Sequence, residues 1–555
     1  MKRDLDARSV ADAWLELLAS RGIEYLFGNA GTDFPPLIEA YARAAKSGAK
    51  VPRPLLVPHE NVAVAMAYGY TMVTGRMQAV MVHVGLGTAN ALCGLFNAAR
   101  QNVPMLFTAG RTPWTETGVP GARNNYINWA QEQFDQAAMV REFMKWDYEL
   151  RHPSQLEAVL DRALALADSD PKGPVYLTLP REVLVAAHAG ATSGTRTIAP
   201  ASTPHPDPAG LAQAARLLAD SRRPVLITAD AGRTLAAWDA LERFATRCAV
   251  PVVQYRPRFA SLASGHPMHA GYDPAPLLKD ADLVLVLECD VPWIPDHFAP
   301  RAGVPVLHLG LDPLCARYPM RSFRADLALA GAPAAILDGL AEAVGERAPW
   351  PFPRPAARQA LAAGKMSNAW VTQCIDGVKD EDSILINEYP LTLEALTIPR
   401  HGMYFSHSPA GGLGWAMGAA LGAKLARPDA TVIAAVGDGT YMFGNPTPFH
   451  FVSRAQGLPV LTVVFNNRRW AAVHRSTMSL YPGGHAAAEA APPFSTLEPA
   501  PDYEKLVEAC GGHGERVEDP AELPAALQRA LHAVRTERRQ AVLNVVTEID
   551  YSRTS

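Results

Sequence analysis

Two short polar clusters interrupt apolar runs where a ligand could be held. The run TVIAAVGDGTYMFG carries an apolar stretch into Gly437, Asp438, Gly439 and Thr440. A second run, PVLTVVFNN, ends in Asn466 and Asn467. If both are strands of one open sheet, a carboxylate and an amide oxygen come to its carboxyl ends, where such sheets bind ligands. Mg²⁺ takes hard oxygen ligands in near-octahedral geometry and usually shares them with phosphates. A carboxylate, an amide oxygen and a loop carbonyl make a protein half-shell for it. The glycines admit a phosphate close to the backbone, and the N–H groups that follow can cradle it. Alone, GDGT is an ordinary turn, because Asp and Gly are common turn formers; its pairing with NN makes it specific.

Other segments carry candidate groups. VPHENVAVAMAYGYTMVTGR places Glu60 at the start of a small-residue helix, where an acid by itself simply suits the helix dipole. SPAGGLGWAMGAALGA is a Gly/Ala helix suited to close packing. Its glycine spacing fails the G-x-G-x-x-G pattern, which argues against a dinucleotide-binding dehydrogenase. His83, His266 and Thr32 lie in HVGLGTANAL, GHPMHAG and FGNAGTDF. Singly, such histidines are usually packed or capped structural residues.

The elements that must position these groups are strands and helices in alternation. Apolar runs at 55–58, 78–84, 104–110 and 174–180 read as strands, as do 224–230, 251–255, 282–288 and 305–310, and then 384–388, 431–438, 459–467 and 541–548. Continuous runs suit parallel strands covered by helices on both faces. The chain has 555 residues, well past the size at which one core stops growing. A stretch at 185–208 is rich in Ala, Gly, Ser, Thr and Pro, and RAPWPFPRPAA at 347–357 is Pro-rich; both read as linkers. Three doubly wound α/β domains follow, at 1–185, 208–345 and 358–550.

Bulk composition excludes several classes. The formal net charge is −4, with no long basic run, so no nucleic-acid partner is expected. The six cysteines form no CxxC pair, which fits reduced thiols in a cytoplasm rather than a disulfide framework. No run of about 18 apolar residues is present, so no membrane span is expected. The N-terminal segment reads as an amphipathic helix rather than a signal peptide.

Taken together, GDGT…NN and HE-x-x-A-x-x-M-A-x-G-Y-x-x-x-T-G resemble the thiamine-diphosphate-dependent enzymes of the pyruvate decarboxylase, acetolactate synthase and benzoylformate decarboxylase group. The resemblance runs from about residue 8 to 548. It implies a pyrimidine-binding first domain, a central domain and a diphosphate-binding third domain. It implies that Asp438, Asn467 and the carbonyl of Arg469 hold Mg²⁺. Glu60 then bonds the cofactor's aminopyrimidine nitrogen and drives its imino tautomer, and Leu413 wedges under the cofactor to keep it bent. Gly411, Gly437, Gly439, Thr440 and Trp470 complete the cofactor site. The implied reaction makes or breaks a carbon–carbon bond next to the carbonyl of a 2-oxo acid, with an aldehyde or a second 2-oxo acid as possible acceptor. A homodimer is the implied minimum, and a homotetramer is common.

Within the group, the local segments are similar to benzoylformate decarboxylase. On that pattern His83 and His266 take the two histidine positions and share proton transfers, and Thr32 takes the place of the active-site serine. Departures point to a polar substrate. His407 and Ser476, with Arg475 adjacent, stand where that pocket is apolar, and GVPGARNNYINWAQEQFDQ at 118–136 is rich in Asn, Gln and Arg. Polar groups left unpaired against a bare ring would cost roughly 1–3 kcal/mol each. The stretch from Asn467 to Asp502 is longer than in that enzyme and more like the lid region of acetolactate synthase. The central domain sits where acetolactate synthases hold FAD, though no flavin fingerprint is evident in ECDVPWIP at 288–295. An acetolactate-synthase-like carboligase and a non-catalytic thiamine-diphosphate-binding protein are the alternative readings.

Overall fold

The computed structural model describes residues 8–188, 190, 192, 194–355 and 361–548. Three parallel sheets are built in chain order. The first holds β1 (Tyr25–Gly28), β2 (Arg53–Leu56), β3 (Ala79–Val82), β4 (Met105–Arg111), β5 (Asp147–Glu149) and β6 (Pro174–Pro180). The second holds β7 (Pro224–Thr228), β8 (Val252–Gln254), β9 (Leu283–Leu287), β10 (Val306–Gly310) and β11 (Leu327–Ala330). The third holds β12 (Ile384–Glu388), β13 (Tyr404–Ser406), β14 (Val432–Gly437), β15 (Leu461–Asn466), β16 (His513–Val517) and β17 (Ala541–Val546). Their orders are β2-β1-β3-β4-β6-β5, β11-β10-β9-β7-β8 and β13-β12-β14-β15-β17-β16. Every pairing between these strands is parallel. The first and third sheets therefore share one topology.

The strands named by apolar runs lie mainly inside the sheets, buried along their length, as in β3, β7, β9 and β15. Those that no apolar run marks include β5, β11, β13 and β16, and each is a sheet edge. An edge strand is covered less completely, so its sequence need not be continuously apolar; HGERV of β16 is an example. Short β1, YLFG, is also unmarked, although it lies inside its sheet.

One apolar core runs through both the first and third domains, from Phe27 and Tyr68 to Trp415 and Val436, whereas the second sheet has its own. The first and third domains meet through helices Glu60–Thr74 and Trp415–Ala426. Both are buried nearly all round, which explains their lack of a polar stripe. Glycines allow the approach: a Cβ on Gly69 would overlap the backbone of Ala419, and one on Gly422 the backbone of Met66.

The two Pro- and Ser-rich stretches are tied down. Thr197 donates from its N–H and hydroxyl to Asp161, which also pairs with buried Arg21. Trp350 donates to the Pro224 carbonyl, and Phe352 joins the second core. Residues 189, 191 and 193 of the first stretch and 356 and 357 of the second lie outside the described residues, as do 1–7 of the N-terminal segment. The N-terminal helix Val10–Ser20 opens with a capping box between Ser9 and Asp12. No helix among the described residues is long and apolar enough to cross a membrane.

Candidate active site

At the carboxyl end of the first sheet, Glu60 begins the helix Glu60–Thr74, just after β2 ends at Leu56. It is 7% exposed. Asn29, just past β1, donates to Glu60 Oε1 at 2.8 Å, and Asn90 donates to Oε2. Gly87 leaves room beside Oε1. Two neutral amides thus orient this carboxyl group, which forms no ion pair among the described residues. Such a group is free to exchange a proton with a ring nitrogen placed against it.

Beside it, His83 follows β3. Its Nδ1 lies 2.7 Å from Asp33 Oδ1, and its Nε2 lies 3.3 Å from Gln131 Nε2. The hydrogen bond to Asp33 raises the imidazole pKa above its ordinary value, against the opposing effect of burial. The next residue, Val84, sits at φ 36° and donates its N–H to Asp33 Oδ2 at 3.2 Å. Such a backbone costs a β-branched residue on the order of 1–3 kcal/mol and persists only where surrounding contacts over-determine it.

His83, Asp33 and Thr32 line a small recess of about 10 Å³ with Arg111, Asn128, Gln131 and Arg181. Thr32 is exposed, and its carbonyl accepts from Arg181. Arg181 spends its remaining donors on the carbonyls of Gly121 and Ala122 and on Asn124 Oδ1. It has no carboxylate among these partners. Arg111 is matched by Glu132 and Glu149.

At the carboxyl end of the third sheet, β14 and β15 are neighbours with Gly437 opposite Phe465. Asp438 and Asn466–Asn467 therefore emerge side by side. Asp438 is 2% exposed. Its Oδ1 accepts from the Gly439 N–H at 2.9 Å. Its Oδ2 is buried with no protein partner, and burial pushes the carboxyl pKa up to about 6 although the Arg468 and Arg469 N–H groups also turn toward it. Asn467 Oδ1 accepts from the Arg469 N–H. A Cβ on Gly439 would strike the Trp470 ring, so this helix start needs glycine there. Thr440 is buried.

The loop before helix Trp415–Ala426 is fixed from both sides. Gly412 exchanges two hydrogen bonds with the side-chain amide of Asn97, at 2.8 and 3.0 Å. Gly414 and Ala416 donate to the two oxygens of buried Glu388, each at 2.7 Å. Gly411 and Gly414 adopt φ 68° and 83°. Between them Leu413 stands half-buried.

These strand-end sites coincide with known sequence families. Residues 8–139, 211–340 and 391–545 match the N-terminal thiamine pyrophosphate (TPP) binding, central and C-terminal TPP binding domains of thiamine pyrophosphate enzymes. The chain is 30% identical to benzoylformate decarboxylase of Pseudomonas aeruginosa, covering 79% of this chain and 82% of that one. It belongs to the thiamine pyrophosphate enzyme family. It is also 23% identical to the acetolactate synthase isozyme 3 large subunit of Escherichia coli, over 96% of this chain and 94% of that one. The fold is shared with a 4-hydroxybenzoylformate decarboxylase of Rhodococcus jostii (TM-score 0.81, 24% identity, 98% of this chain and 100% of that one).

The residues present fit the family's cofactor. An orphaned buried carboxylate oxygen at Asp438, an amide oxygen and loop carbonyls next to it form a hard-oxygen half-shell for Mg²⁺,. Asp438, Asn467 and the Arg469 carbonyl are the candidate metal ligands, at the start of the helix Asp438–Phe443 that follows β14. A flavin fits poorly at the second sheet. Its switch point, between β7 and β9, is filled by Arg258, which is bidentate to Asp230 and bonded to Asp290, with Tyr318 capping Asp290.

Glu60, His83 and Thr32 gather at the first sheet, and Asp438, Asn467, Arg469 and Trp470 at the third. His266 is not among the residues lining the recess. It lies in the central domain, with Nε2 against Thr246 Oγ1 and Nδ1 accepting from the Met268 N–H. Of the polar departures, Ser476 is exposed, whereas His407 is half-buried against the Tyr389 ring, and burial lowers its pKa to about 4. In the loop 118–136, Asn128 Oδ1 accepts from two backbone N–H groups and Gln136 donates to Gly110 and Tyr176, whereas Gln131 Oε1 is buried without a partner among the described residues. Asn29, Asp33, Asn90, Asn97 and Glu388 went unnoticed in the sequence. Only Glu388 carries a local signal, since ILINE ends an apolar run in polar residues as GDGT and FNN do.

Proposed function

We propose that this protein is a thiamine-diphosphate- and Mg²⁺-dependent decarboxylase or carboligase of a polar 2-oxo acid. One observation carries the reading. Identical sheet topologies present an amide-oriented glutamate at one end and a cation-seeking aspartate at the other, in segments that match the two cofactor-binding domains.

When bound, thiamine diphosphate supplies a carbon nucleophile that adds to a carbonyl and accepts the electron pair left by a departing carboxylate. This chain's residues do the rest. Asp438, Asn467 and the Arg469 carbonyl hold the metal, and Gly437, Gly439, Thr440 and Trp470 hold the diphosphate end. Gly411 and Leu413 support the cofactor's middle from a loop clamped by Asn97 and Glu388. Glu60 holds and returns a proton at its carboxyl group, with Asn29 and Asn90 fixing its direction. His83 moves a proton at Nε2 and Thr32 completes the substrate side, whereas both ring nitrogens of His266 are engaged within the central domain. Domains 1–185, 208–345 and 358–550 take the pyrimidine-binding, central and diphosphate-binding roles.

The polar substrate is supported by the recess around His83. Gln131 Oε1 is buried there without a partner, and Arg181 brings a positive charge with no carboxylate among its partners. Such groups favour a substrate that hydrogen-bonds in return. A homodimer, assembled further into a tetramer, is supported by exposed rings at Tyr126, Trp129, Phe134 and Phe494, which a second copy would cover. Six free cysteines suit the cytoplasm,.

A panel of 2-oxo acids, each with and without an aldehyde, read by NMR, tests the reading. Aldehyde and CO₂ from a polar 2-oxo acid are expected. The near full-length match to acetolactate synthase favours a second reading, whose signature is a 2-hydroxy ketone from two carbonyl substrates. No turnover of any 2-oxo acid by cofactor-loaded protein would overturn both.

A further inference from the structure

His83 is not a lone imidazole at a strand end. Asp33 meets its Nδ1 at 2.7 Å, and Asp33 is 4% exposed. The second Asp33 oxygen is anchored by the Val84 N–H at 3.2 Å. Two glycines make room for the pair. A Cβ on Gly31 would overlap the imidazole, and one on Gly110 would overlap the Asp33 carboxylate. Nε2 is left facing the recess, where Gln131 is the neighbour at 3.3 Å.

We propose that Asp33 is a positioning residue that fixes His83 with its proton on Nδ1 and presents Nε2 to the substrate as the proton-transferring atom. The inference rests on the reading of His83 as a proton carrier, but its physical content does not. A carboxylate hydrogen-bonded to one ring nitrogen selects the tautomer and stabilises the imidazolium. Other charges face this ring. Glu60 adds a weaker attraction from its helix. Arg111 lies across the recess, matched by Glu132 and Glu149, and Arg181 contributes an opposing charge. Of these charged groups only Asp33 is hydrogen-bonded to the ring among the described residues, so its direct hydrogen bond dominates,.

The first measurement uses the cofactor-loaded wild-type enzyme with ¹⁵N-labelled histidine, the His83 signals being assigned by their loss in His83→Gln. The neutral ring is expected to carry its proton on Nδ1. A proton on Nε2 overturns the proposal, whether or not any Asp33 variant folds. The second uses Asp33→Asn, checked for folding by its melting curve. The amide can still accept from Val84 but now donates toward Nδ1, so the opposite tautomer is expected, with the His83 pKa moved to lower pH. kcat is expected to fall by about 10²-fold or more, with KM within a few-fold, and the limb of the pH–rate profile set by His83 is expected to move with the ring. An unchanged tautomer and pKa in a folded Asp33→Asn enzyme would overturn the role of Asp33. If tautomer and pKa move as expected while rate and pH profile do not, Asp33 positions His83 as stated, and the proton-carrier reading of His83 fails instead.

Discussion

The first and third sheets have the same strand order, yet their carboxyl ends are chemically opposite. At the first, the acids have protein partners: Glu60 has Asn29 and Asn90, and Asp33 has His83 and the Val84 N–H. At the third, Asp438 keeps a buried oxygen, Oδ2, without a hydrogen-bond partner among the described residues. A buried carboxylate oxygen left without a partner is costly. Under the proposed function, the first end handles a proton and the third takes a cation. Topology supplies the crevice; the pairing of the acids decides its use.

The largest expected effect comes from breaking the unpaired end. Asp438→Ala should abolish turnover and leave the purified protein without thiamine diphosphate, as read by assay of the released cofactor. Cofactor retained at wild-type stoichiometry would show that Asp438 is not a metal ligand. Glu60→Gln probes the paired end. It should lower kcat by about 10²–10⁴-fold with cofactor still bound, because an amide cannot take up the proton. Exchange of the cofactor's thiazolium proton at the wild-type rate would contradict the assignment.

Next in size is the join between the two ends. Gly69→Ala places a methyl group against the Ala419 backbone. Overpacking of this kind costs about 1–3 kcal/mol, to be read as a lower midpoint in denaturant. An unchanged midpoint would mean that the helices separate freely. The smallest effect is expected at Leu413. A fully buried leucine truncated to alanine costs about 2–5 kcal/mol, but Leu413 is only half-buried. Leu413→Ala should therefore leave the melting midpoint nearly unmoved while reducing turnover. Unchanged turnover would remove it from the cofactor site.

The polar ends of interior strands were legible in the sequence, because Asp438 and Asn467 interrupt apolar runs that a buried parallel strand requires. Glu60 and Leu413 were legible only through resemblance. Asn97 and Gly412 are far apart in the chain and meet only after folding, so no local pattern marks them. Asp33 was hidden for the same reason, since its partner lies beyond two helices and two strands. The edge strands β5, β11, β13 and β16 were obscure because edges do not need continuous apolar sequence.

Dependence on both thiamine diphosphate and Mg²⁺ is tested most directly by reconstitution. The protein is stripped with chelator, dialysed, and titrated calorimetrically with thiamine diphosphate in the presence and absence of Mg²⁺, with turnover of a 2-oxo acid followed in parallel. Saturable binding and turnover are expected only when both are present. Full turnover by protein shown to contain neither would contradict the assignment outright.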